Sequence, residues 1–506
     1  MLKKKPLKNF TNFFINHWLS TLLIALAFVA VLSSLLAIGQ NIWFDEGYSI
    51  YVAQKPIAEI ISLVSVDAHP PFYYVILKLW GSLFGWNEFT LRFLSIIFAT
   101  ASVAITFFIV KKMAGVRVAL GVLPFLILAP FALRYSYEIR PYALTSTLVT
   151  GGTLLLLLAS QSKKRALWIY YSIIVALGML TLYMSALIWA AHAIWLAFSY
   201  WKDKKATPIK IWFSSYILAI ILFSPWMPTF ISQTVNSALP GIGQPINLTT
   251  GVDSISHLMF YQSAWQTNEV QTALIAFVAI SLIVLLVKLW EKSNVKTRNN
   301  LLFIGAITII PFLILVFANA LSSNNFYISR YLAHFAIFYY MAIGFIIVCS
   351  YKLAPKLSFF TGAAAIIILT SGVINLAIIG NFNFERNQKP ATKIALSGFS
   401  CNKDTTFVAQ DEYTYLDSWF YLQGCNLKFI KEGQVSNRGG YAPLRNSSAQ
   451  IQNINEVSTP NVIFISWKDK NNQPVFVNSN FHLAQSDVFE QHLIETYTQN
   501  VSNNIK

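Results

Sequence analysis

Charged residues are scarce in this chain. They make up 11% of its 506 residues, whereas hydrophobic residues make up 55% and the mean hydropathy is +0.53. A protein folded around a single core in water does not require that balance. Most of the chain is therefore predicted to lie in lipid.

Acidic residues are especially few, 21 against 37 lysines and arginines, which leaves a formal net charge of +16. In a soluble protein such a charge would suggest a basic face for nucleic acid. The sequence lacks a basic stripe with interleaved aromatic residues. Its basic residues gather in short clusters between apolar runs, as the positive-inside bias of membrane proteins requires, so we expect no nucleic-acid partner.

Long apolar runs are abundant. A helix needs about 20 apolar residues to cross the hydrocarbon core, and such runs follow one another through residues 19–380. With the basic clusters taken as inner-side markers, the pattern predicts about eleven transmembrane helices. They lie near residues 18–39, 90–110, 117–134, 141–160, 166–183, 184–200, 210–231, 271–290, 300–319, 331–350 and 357–380.

The amino terminus is predicted to be cytoplasmic, because Lys3, Lys4, Lys5 and Lys8 precede the first apolar run. That run is too long for the apolar region of a signal peptide and lacks a small-residue cleavage site, so we expect it to remain as a span. The chain is thus predicted to be a multi-pass protein of the plasma membrane, with its carboxyl-terminal residues outside the cytoplasm.

Two long loops are predicted on the outer side, at residues 40–88 and about 232–270. The first contains an apolar stretch at 71–84 that is too short to cross a bilayer, so we expect an interfacial helix there. Residues 381–506 are rich in Asn, Gln, Ser and Asp and have no run long enough to span. They predict a second, water-soluble domain that follows a membrane domain at 1–380.

The polar tail carries a βαβ pattern. Residues 405–410, 427–431 and 462–467 predict short buried strands, and 413–422 have helix-like apolar spacing. The tail has no recognisable nucleotide or metal motif. The predicted fold class is mainly α, a polytopic membrane helical bundle with a large first outer loop, plus a small α/β soluble domain on the outer side.

Ionisable residues on the outer side are the candidates for chemistry, because charges beside a membrane are costly unless they are used or solvated. Asp45 and Glu46 stand together just after the first span. Alternatively, Asp45 simply caps a helix that begins at Glu46. Asp67 and His69 follow in the same loop, where His69 before two prolines could also be an ordinary turn residue.

Arginines also occur on the predicted outer side, against the positive-inside bias. One segment between two spans contains Glu138, Arg140 and Tyr142. A solvated loop in which Glu138 pairs with an arginine is the alternative to a functional role. Arg330 lies at the outer mouth of another span, and His334 is expected one helical turn later on the same face.

These segments, in this order, resemble the glycosyltransferases of the C superfamily, in the branch that contains the protein O-mannosyltransferases and the lipid A aminoarabinose transferases. The resemblance covers about residues 18–381. It rests on WFDEGYSIYVAQ, DAHPPFYYVILKLWGSLFG, LRFLSIIFATASVAITFFIVKKMAG, RPYAL and SRYLAHF. The tail is similar to the outer tail of the aminoarabinose transferases. The resemblance implies an enzyme that moves a sugar from a polyprenyl-phosphate carrier to an acceptor hydroxyl.

This resemblance gives the outer residues roles. The departing carrier phosphate needs its negative charge stabilised, and Arg140 and Arg330 can present planar, permanently charged forks to it. Asp45, with Glu46 beside it, is the candidate base for the acceptor hydroxyl. A single direct displacement would invert the anomeric centre without a covalent sugar-enzyme intermediate.

The other candidates are expected to bind substrate or to support the residues that do; they are Asp67, His69, Glu138, Tyr142 and His334. An alternative makes Asp45, Glu46, Asp67 and His69 a divalent-cation site, as in the related oligosaccharyltransferases. The mannosyltransferase-like branch is not expected to need metal, so neither a metal nor a cofactor is predicted.

The implied partners are a polyprenyl-phosphate sugar, the surrounding membrane lipids, and a lipid, polysaccharide or protein acceptor. A transporter of lipid-linked sugars or other solutes is one alternative; it would show ionisable residues near span midpoints and duplicated halves, and the sequence shows neither. A non-catalytic scaffold is another. It would tolerate loss of the outer carboxylates and arginines, yet these are present.

Cysteine is rare, with three residues in all. Cys349 falls at the predicted inner end of a span, where a reducing cytoplasm would leave it a thiol. Cys401 and Cys425 precede the first and second predicted strands of the tail, and the starts of neighbouring parallel strands meet at one sheet edge. We therefore predict a disulfide between them, which closes a loop of about 25 residues and contributes roughly 3 kcal/mol.

Overall fold

The computed structural model describes residues 13–162, 164–203, 209–236, 245–263, 266–321, 327–379, 391–430, 441–445, 447–467, 478–489 and 492–500. The amino-terminal lysines that predict the orientation of the chain, Lys3, Lys4, Lys5 and Lys8, lie outside these ranges.

Helices dominate the described residues. In chain order they are α1 Trp18–Ala37, α2 Phe44–Ala53, α3 Ile57–Ser65, α4 Phe72–Phe84, α5 Glu88–Ala114, α6 Val116–Ile127, α7 Pro130–Arg134, α8 Tyr142–Ser160, α9 Arg165–Thr181, α10 Ala186–Lys202, α11 Ile209–Phe223, α12 Met227–Asn236, α13 Leu248–Phe260, α14 Glu269–Lys292, α15 Val295–Leu321, α16 Ala336–Ser350, α17 Pro355–Ile379, α18 Ala391–Ser397, α19 Glu412–Trp419 and α20 Ala442–Arg445. The strands are β1 Thr405–Ala409, β2 Asn426–Ile430, β3 Gln450–Ile451, β4 Asn461–Trp467, β5 Phe481–Phe489 and β6 His492–Gln499.

The predicted fold class is confirmed: a multi-pass helical membrane protein with a small sheet domain at its carboxyl end. Seven described helical stretches are long and apolar enough to cross a membrane, and one of them, Ile209–Val235, runs through α11 and α12. Further apolar helices, such as α6, α9 and α16, are shorter. Each predicted span overlaps at least one helix, but the number of helices that cross the bilayer remains a prediction.

Proline breaks one of the predicted spans. The run at 117–134 forms two helices, α6 and α7, rather than one. Pro130 lacks the N–H that a continuing helix needs, and it forces the preceding Ala129 into an extended conformation, with ψ at 92°. Pro130 then occupies the first position of α7, where its fixed φ is favourable.

The first of two compact units comprises Met1–Ala37, Phe89–Pro228 and Leu239–Ile378. Within it α8 packs on α9, α9 on α11, and α10 on α15. The Trp189 ring of α10 fills the space above Gly152 and Gly178, where a Cβ would lie 2.6 and 2.7 Å from ring atoms. Helices in lipid gain stability from such close packing over small residues.

A chain of buried polar groups runs through this unit. The His192 ring bonds Thr153 Oγ1 at 3.1 Å and Tyr171 Oη at 3.1 Å. Tyr171 in turn bonds Tyr216 Oη at 2.9 Å, and Tyr216 donates to the Trp189 carbonyl at 2.8 Å. Buried polar groups require such partners, and this chain connects α8, α9, α10 and α11.

The second compact unit comprises Ile38–Glu88, Thr229–Ala238 and Ile379–Lys506. Its sheet has the strand order β3-β2-β1-β4-β6-β5. The three predicted strands are the parallel neighbours β2, β1 and β4, and α19 lies between the first two along the chain. The antiparallel hairpin β5–β6 extends the sheet beside β4 and was not predicted.

The predicted first outer loop folds into α2, α3 and α4, the last of which covers the predicted interfacial stretch. This loop belongs to the same compact unit as the tail. Helix α2 approaches α19 so closely that a Cβ on Gly47 would collide with the Leu416 carbonyl. Only glycine fits there. The division of the chain into domains at 1–380 and 381–506 remains a prediction.

Candidate functional site

Asp45 and Glu46 lie in the first turn of α2, and both are buried, at 7% and 0% exposure. The N-cap is Trp43, whose side chain makes no capping bond. The alternative that Asp45 merely caps a helix beginning at Glu46 is therefore wrong. Carboxylates are favoured in the first turn by the helix dipole, so α2 holds the pair in a site where negative charge is stabilised.

Tyr441, from the polar tail, contacts the Asp45 carboxylate directly. Its hydroxyl donates to Asp45 Oδ1 at 2.5 Å. The Tyr441 ring packs edge-on against Phe44, Tyr48 and Tyr413, with centroids 6.1, 5.2 and 5.4 Å away. Its φ of +63° is unusual for a residue with a side chain. Such strained conformations cluster at functional sites.

An ion pair fixes the segment that follows Tyr441. Arg445 in α20 donates from Nε and Nη2 to both oxygens of Glu412, at 2.9 and 2.8 Å. Both side chains are 14% exposed. This bidentate geometry gives orientation as well as energy, so α20 is tied to the first turn of α19.

Asp417 of α19 completes the amino-terminal end of α2. The buried carboxyl group of Asp417 accepts a hydrogen bond from the backbone N–H of Phe44, the first residue of α2. The N-cap residue Trp43 makes no side-chain capping bond, so Asp417 takes the place of an N-cap side chain. Burial raises the pKa of Asp417 well above its usual range, the charges of Asp411 and Asp45 raise it further, and the Phe44 bond opposes them. The tail thus contributes both a cap and a second carboxyl group near Asp45.

Asp67 and His69 form a pair further along the loop. His69 Nδ1 lies 3.6 Å from Asp67 Oδ2, and the Asp67 side chain is almost fully buried. Among the described residues, no group of three or more His, Cys, Asp and Glu side chains lies close enough to hold a metal ion. Asp45, Glu46, Asp67 and His69, which the sequence suggested as a cation site, therefore form no such group in the described structure.

In the first unit, Glu138 pairs with Arg134. Arg134 Nη1 lies 3.5 Å from Glu138 Oε2, and Arg134 Nε donates to Tyr261 Oη at 2.6 Å. Both charged side chains are buried, at 2% and 1% exposure. Glu138 thus pairs with an arginine, as the alternative to a functional role expected, but the pair is buried and not solvated.

Arg140 and Tyr142 flank the start of α8. Arg140 is 4% exposed and precedes Pro141, the N-cap residue of this helix. Tyr142 is the first helical residue, and its ring packs against Tyr135 at 5.1 Å. Arg140 is therefore a buried cation directly before the start of α8.

Arg330 and His334 do not share a continuous helix. Arg330 is half-buried in the short 3₁₀ helix Ser329–Leu332, and α16 begins only at Ala336. The expectation that they lie one turn apart on one helix face is wrong. His334 Nε2 donates to the Met184 carbonyl at 3.0 Å, which points to a role in holding the backbone.

Arg92 was not predicted as a candidate. It is 1% exposed in α5, and its Nη1 donates to the carbonyl of Ala37, the last residue of α1, at 3.2 Å. A cation is favoured at a helix carboxyl end. In the sequence, Arg92 could have been recognised as a candidate because a charged residue near the start of an apolar run is unusual.

Residues 68–228 match the family described as dolichyl-phosphate-mannose-protein mannosyltransferase. No curated protein sequence shows significant similarity to the chain. Among solved structures, the chain resembles ArnT from Cupriavidus metallidurans in the apo state, with 11% identity over 95% of this chain and 98% of ArnT, at a TM-score of 0.59. The similarity to the structure of the same ArnT bound to undecaprenyl phosphate has 12% identity over 94% of this chain and 98% of ArnT, at a TM-score of 0.59.

A weaker similarity is to the oligosaccharyltransferase from Archaeoglobus fulgidus, with 12% identity over 78% of this chain and 61% of that one, at a TM-score of 0.48. The resemblance to membrane glycosyltransferases of the C superfamily is confirmed by the family match within 68–228 and by the ArnT fold.

Proposed function

We propose that this chain transfers a sugar from a polyprenyl-phosphate carrier to an acceptor hydroxyl. The observation that carries the proposal is the family match at residues 68–228, whose description names a dolichyl-phosphate sugar as donor. The similarity in fold to ArnT supports a lipid-phosphate donor, because the ArnT structure that aligns with 94% of this chain has undecaprenyl phosphate bound.

Asp45 is proposed as the base that accepts the proton of the acceptor hydroxyl. Its carboxylate is buried and is oriented by the Tyr441 hydroxyl. A base must be held in one geometry to act in a transition state, and the bond to Tyr441 supplies that restraint. Glu46 beside it and the Asp67–His69 pair are proposed to support this carboxylate and the acceptor.

Arg140 and Arg330 are proposed to bind the carrier phosphate. As the bond from the anomeric carbon to the phosphate oxygen breaks, negative charge grows on that oxygen, and guanidinium groups stabilise it. Arg140 lies within the matched segment and is almost fully buried. Attack from the opposite side of the sugar inverts the anomeric centre.

The proposed orientation of the chain rests on the positive-inside pattern of its basic residues. The donor sugar and the acceptor are placed on the outer face of the plasma membrane, with the amino terminus in the cytoplasm. The acceptor is a lipid, a polysaccharide or a protein.

The experiment combines genetics with chemistry. Deletion of the gene should remove one glycan from the lipids, envelope polymers or proteins, as detected by mass spectrometry, and the wild-type chain should restore it. Purified protein mixed with the whole envelope fraction of the deletion strain, which contains both the lipid-linked donor and the unmodified acceptor, should then release free polyprenyl phosphate. Loss of the glycan without carrier release would indicate a transporter of lipid-linked sugars and overturn the proposal.

A further inference from the structure

Three lysines converge on one cavity in the first compact unit. The cavity has a volume of about 730 Å³ and is lined by Lys112 at the end of α5, Lys202 at the end of α10 and Lys296 at the start of α15. Polar groups of Ser160 and Asn299 also line it. Asp203 is the one acidic residue in this lining. The cavity therefore has the charge and the size of a site for a small anionic group.

The arrangement favours an anion in a second way. Lys296 lies in the first turn of α15, where the helix dipole is already positive. Lys202 is held towards the cavity by a bond from its Nζ to Asn299 Oδ1 at 2.9 Å. Positive charge gathered at a helix start is unfavourable alone and becomes favourable when a phosphate neutralises it.

An apolar groove continues from this cavity. It has a volume of about 680 Å³, lies among α10, α14 and α15, and shares Trp195 and Phe198 with the lysine cavity. Apart from Glu291, the residues that line it are apolar. Gly305 leaves space in its wall, because a Cβ there would meet only Ile309 Cδ1, at 4.0 Å.

The lysine cavity is separate from the proposed donor-phosphate residue Arg140. Arg140 precedes the start of α8, whereas Ser160, which lines the cavity, is its last residue. A helix of 19 residues is about 28 Å long. The two phosphate sites would thus lie at opposite ends of α8.

We propose that the lysine cavity and the groove together bind one anionic phospholipid of the surrounding membrane. Its phosphate lies among Lys112, Lys202 and Lys296, and one acyl chain lies in the groove past Trp195 and Phe198. A phospholipid has a charged head group joined to long apolar chains, and the lysine cavity joined to the apolar groove has the same arrangement. Basic pockets between membrane helices bind anionic head groups in this way.

The test uses native mass spectrometry on the purified, delipidated full-length chain, with phosphatidylglycerol and phosphatidylcholine of identical acyl chains as probes. Wild-type protein should retain phosphatidylglycerol preferentially. The triple variant Lys112→Gln, Lys202→Gln, Lys296→Gln should bind it roughly 100-fold more weakly. The control triple Lys288→Gln, Lys352→Gln, Lys356→Gln removes the same charge from residues that do not line the cavity, and it should keep the preference.

The groove is tested separately. Gly305→Trp should weaken binding of both lipids by filling the groove, whereas Gly305→Ala should not, and comparable melting temperatures would show that both variants are folded. Equal phosphatidylglycerol binding by wild type and the cavity triple variant would overturn the proposal. Preferential binding of undecaprenyl phosphate over phosphatidylglycerol would also overturn it, because the occupant would then be a carrier lipid.

Discussion

The Tyr441 hydroxyl donates a hydrogen bond to Asp45 Oδ1 at 2.5 Å, although the two residues lie 396 positions apart in the sequence. The proposed base is therefore oriented by a residue of the polar tail. The tail contributes a second residue, Asp417, at the amino-terminal end of α2. Through Tyr441 and Asp417 it also defines the surroundings of Asp45 and the amino-terminal end of α2.

Tyr441→Phe should leave the fold intact and lower transfer. The Phe ring keeps the packing on Phe44 and Tyr48, and only the hydroxyl is lost. A hydrogen bond to a charged group contributes about 1.5 to 3 kcal/mol, so turnover should fall roughly 10-fold to 100-fold. Tyr413→Phe is the matched control, because its ring also contacts Tyr441. Equal activity of the two variants in a carrier-release assay would argue against this role of Tyr441.

Asp45→Asn should remove most transfer while the protein still inserts and folds, because asparagine is nearly isosteric but cannot accept a proton as a base. Loss of a general base costs about 100-fold to 10,000-fold. Glu59→Gln, an exposed carboxylate on α3, is the control. Near wild-type turnover of purified Asp45→Asn would exclude Asp45 as the base.

Arg140→Lys and Arg330→Lys should each weaken binding of the lipid-phosphate donor. Lysine keeps the charge but cannot reproduce the planar bidentate fork. Titration with undecaprenyl phosphate measures the affinity, and the exposed Arg117→Lys provides the control. Unchanged affinity and turnover in both variants would count against the assignment.

Local signals in the sequence predict the helices and the three parallel strands, because long apolar runs and short buried strands leave clear patterns. They also point to Asp45 and Glu46, since adjacent carboxylates after a span are unusual. The hairpin β5–β6 escaped prediction because β5 is mostly exposed and has no clear apolar alternation. The break between α6 and α7 has a local signal in Pro130, because proline cannot continue a helix that begins before it.

Tyr441 could not be predicted. It follows two glycines in a polar segment, and nothing in that pattern indicates a contact with Asp45. The same holds for Asp417, whose role depends on α19 packing over Gly47. Such contacts arise from tertiary folding, so the sequence identifies the carboxylate but not the residues that orient it.

The tail should contain one disulfide. In the structure the sulfurs of Cys401 and Cys425 lie at bonding distance, with α-carbons 4.8 Å apart, within the range for a bridge. Under denaturing conditions without reductant, a maleimide should label Cys349 alone, and after reduction it should label all three cysteines. Labelling of Cys401 and Cys425 before reduction would contradict both the bridge and the placement of the tail in an oxidising compartment.

The stability of the tail should depend on pH through His492. This residue is 1% exposed in β6, where its ring packs on Trp467 at 5.1 Å. Burial lowers the pKa of His492 from 6.5 to about 4. The folded state therefore favours the neutral ring, and the unfolded state takes up a proton first as the pH falls.

The contribution of this histidine is fully present above pH 6.5 and is lost as the pH falls from 6.5 towards 4, by about 3 kcal/mol in total. His492→Phe keeps an aromatic ring but cannot titrate, so its unfolding temperature should fall less than that of wild type between pH 7 and pH 4. The exposed His482→Gln serves as the control and should follow wild type. Thermal unfolding of the full chain in nanodiscs, followed by tryptophan fluorescence, measures the unfolding temperature at each pH. If the unfolding temperatures of wild type and His492→Phe fall in parallel as the pH falls, burial of His492 does not govern the acid sensitivity of the tail.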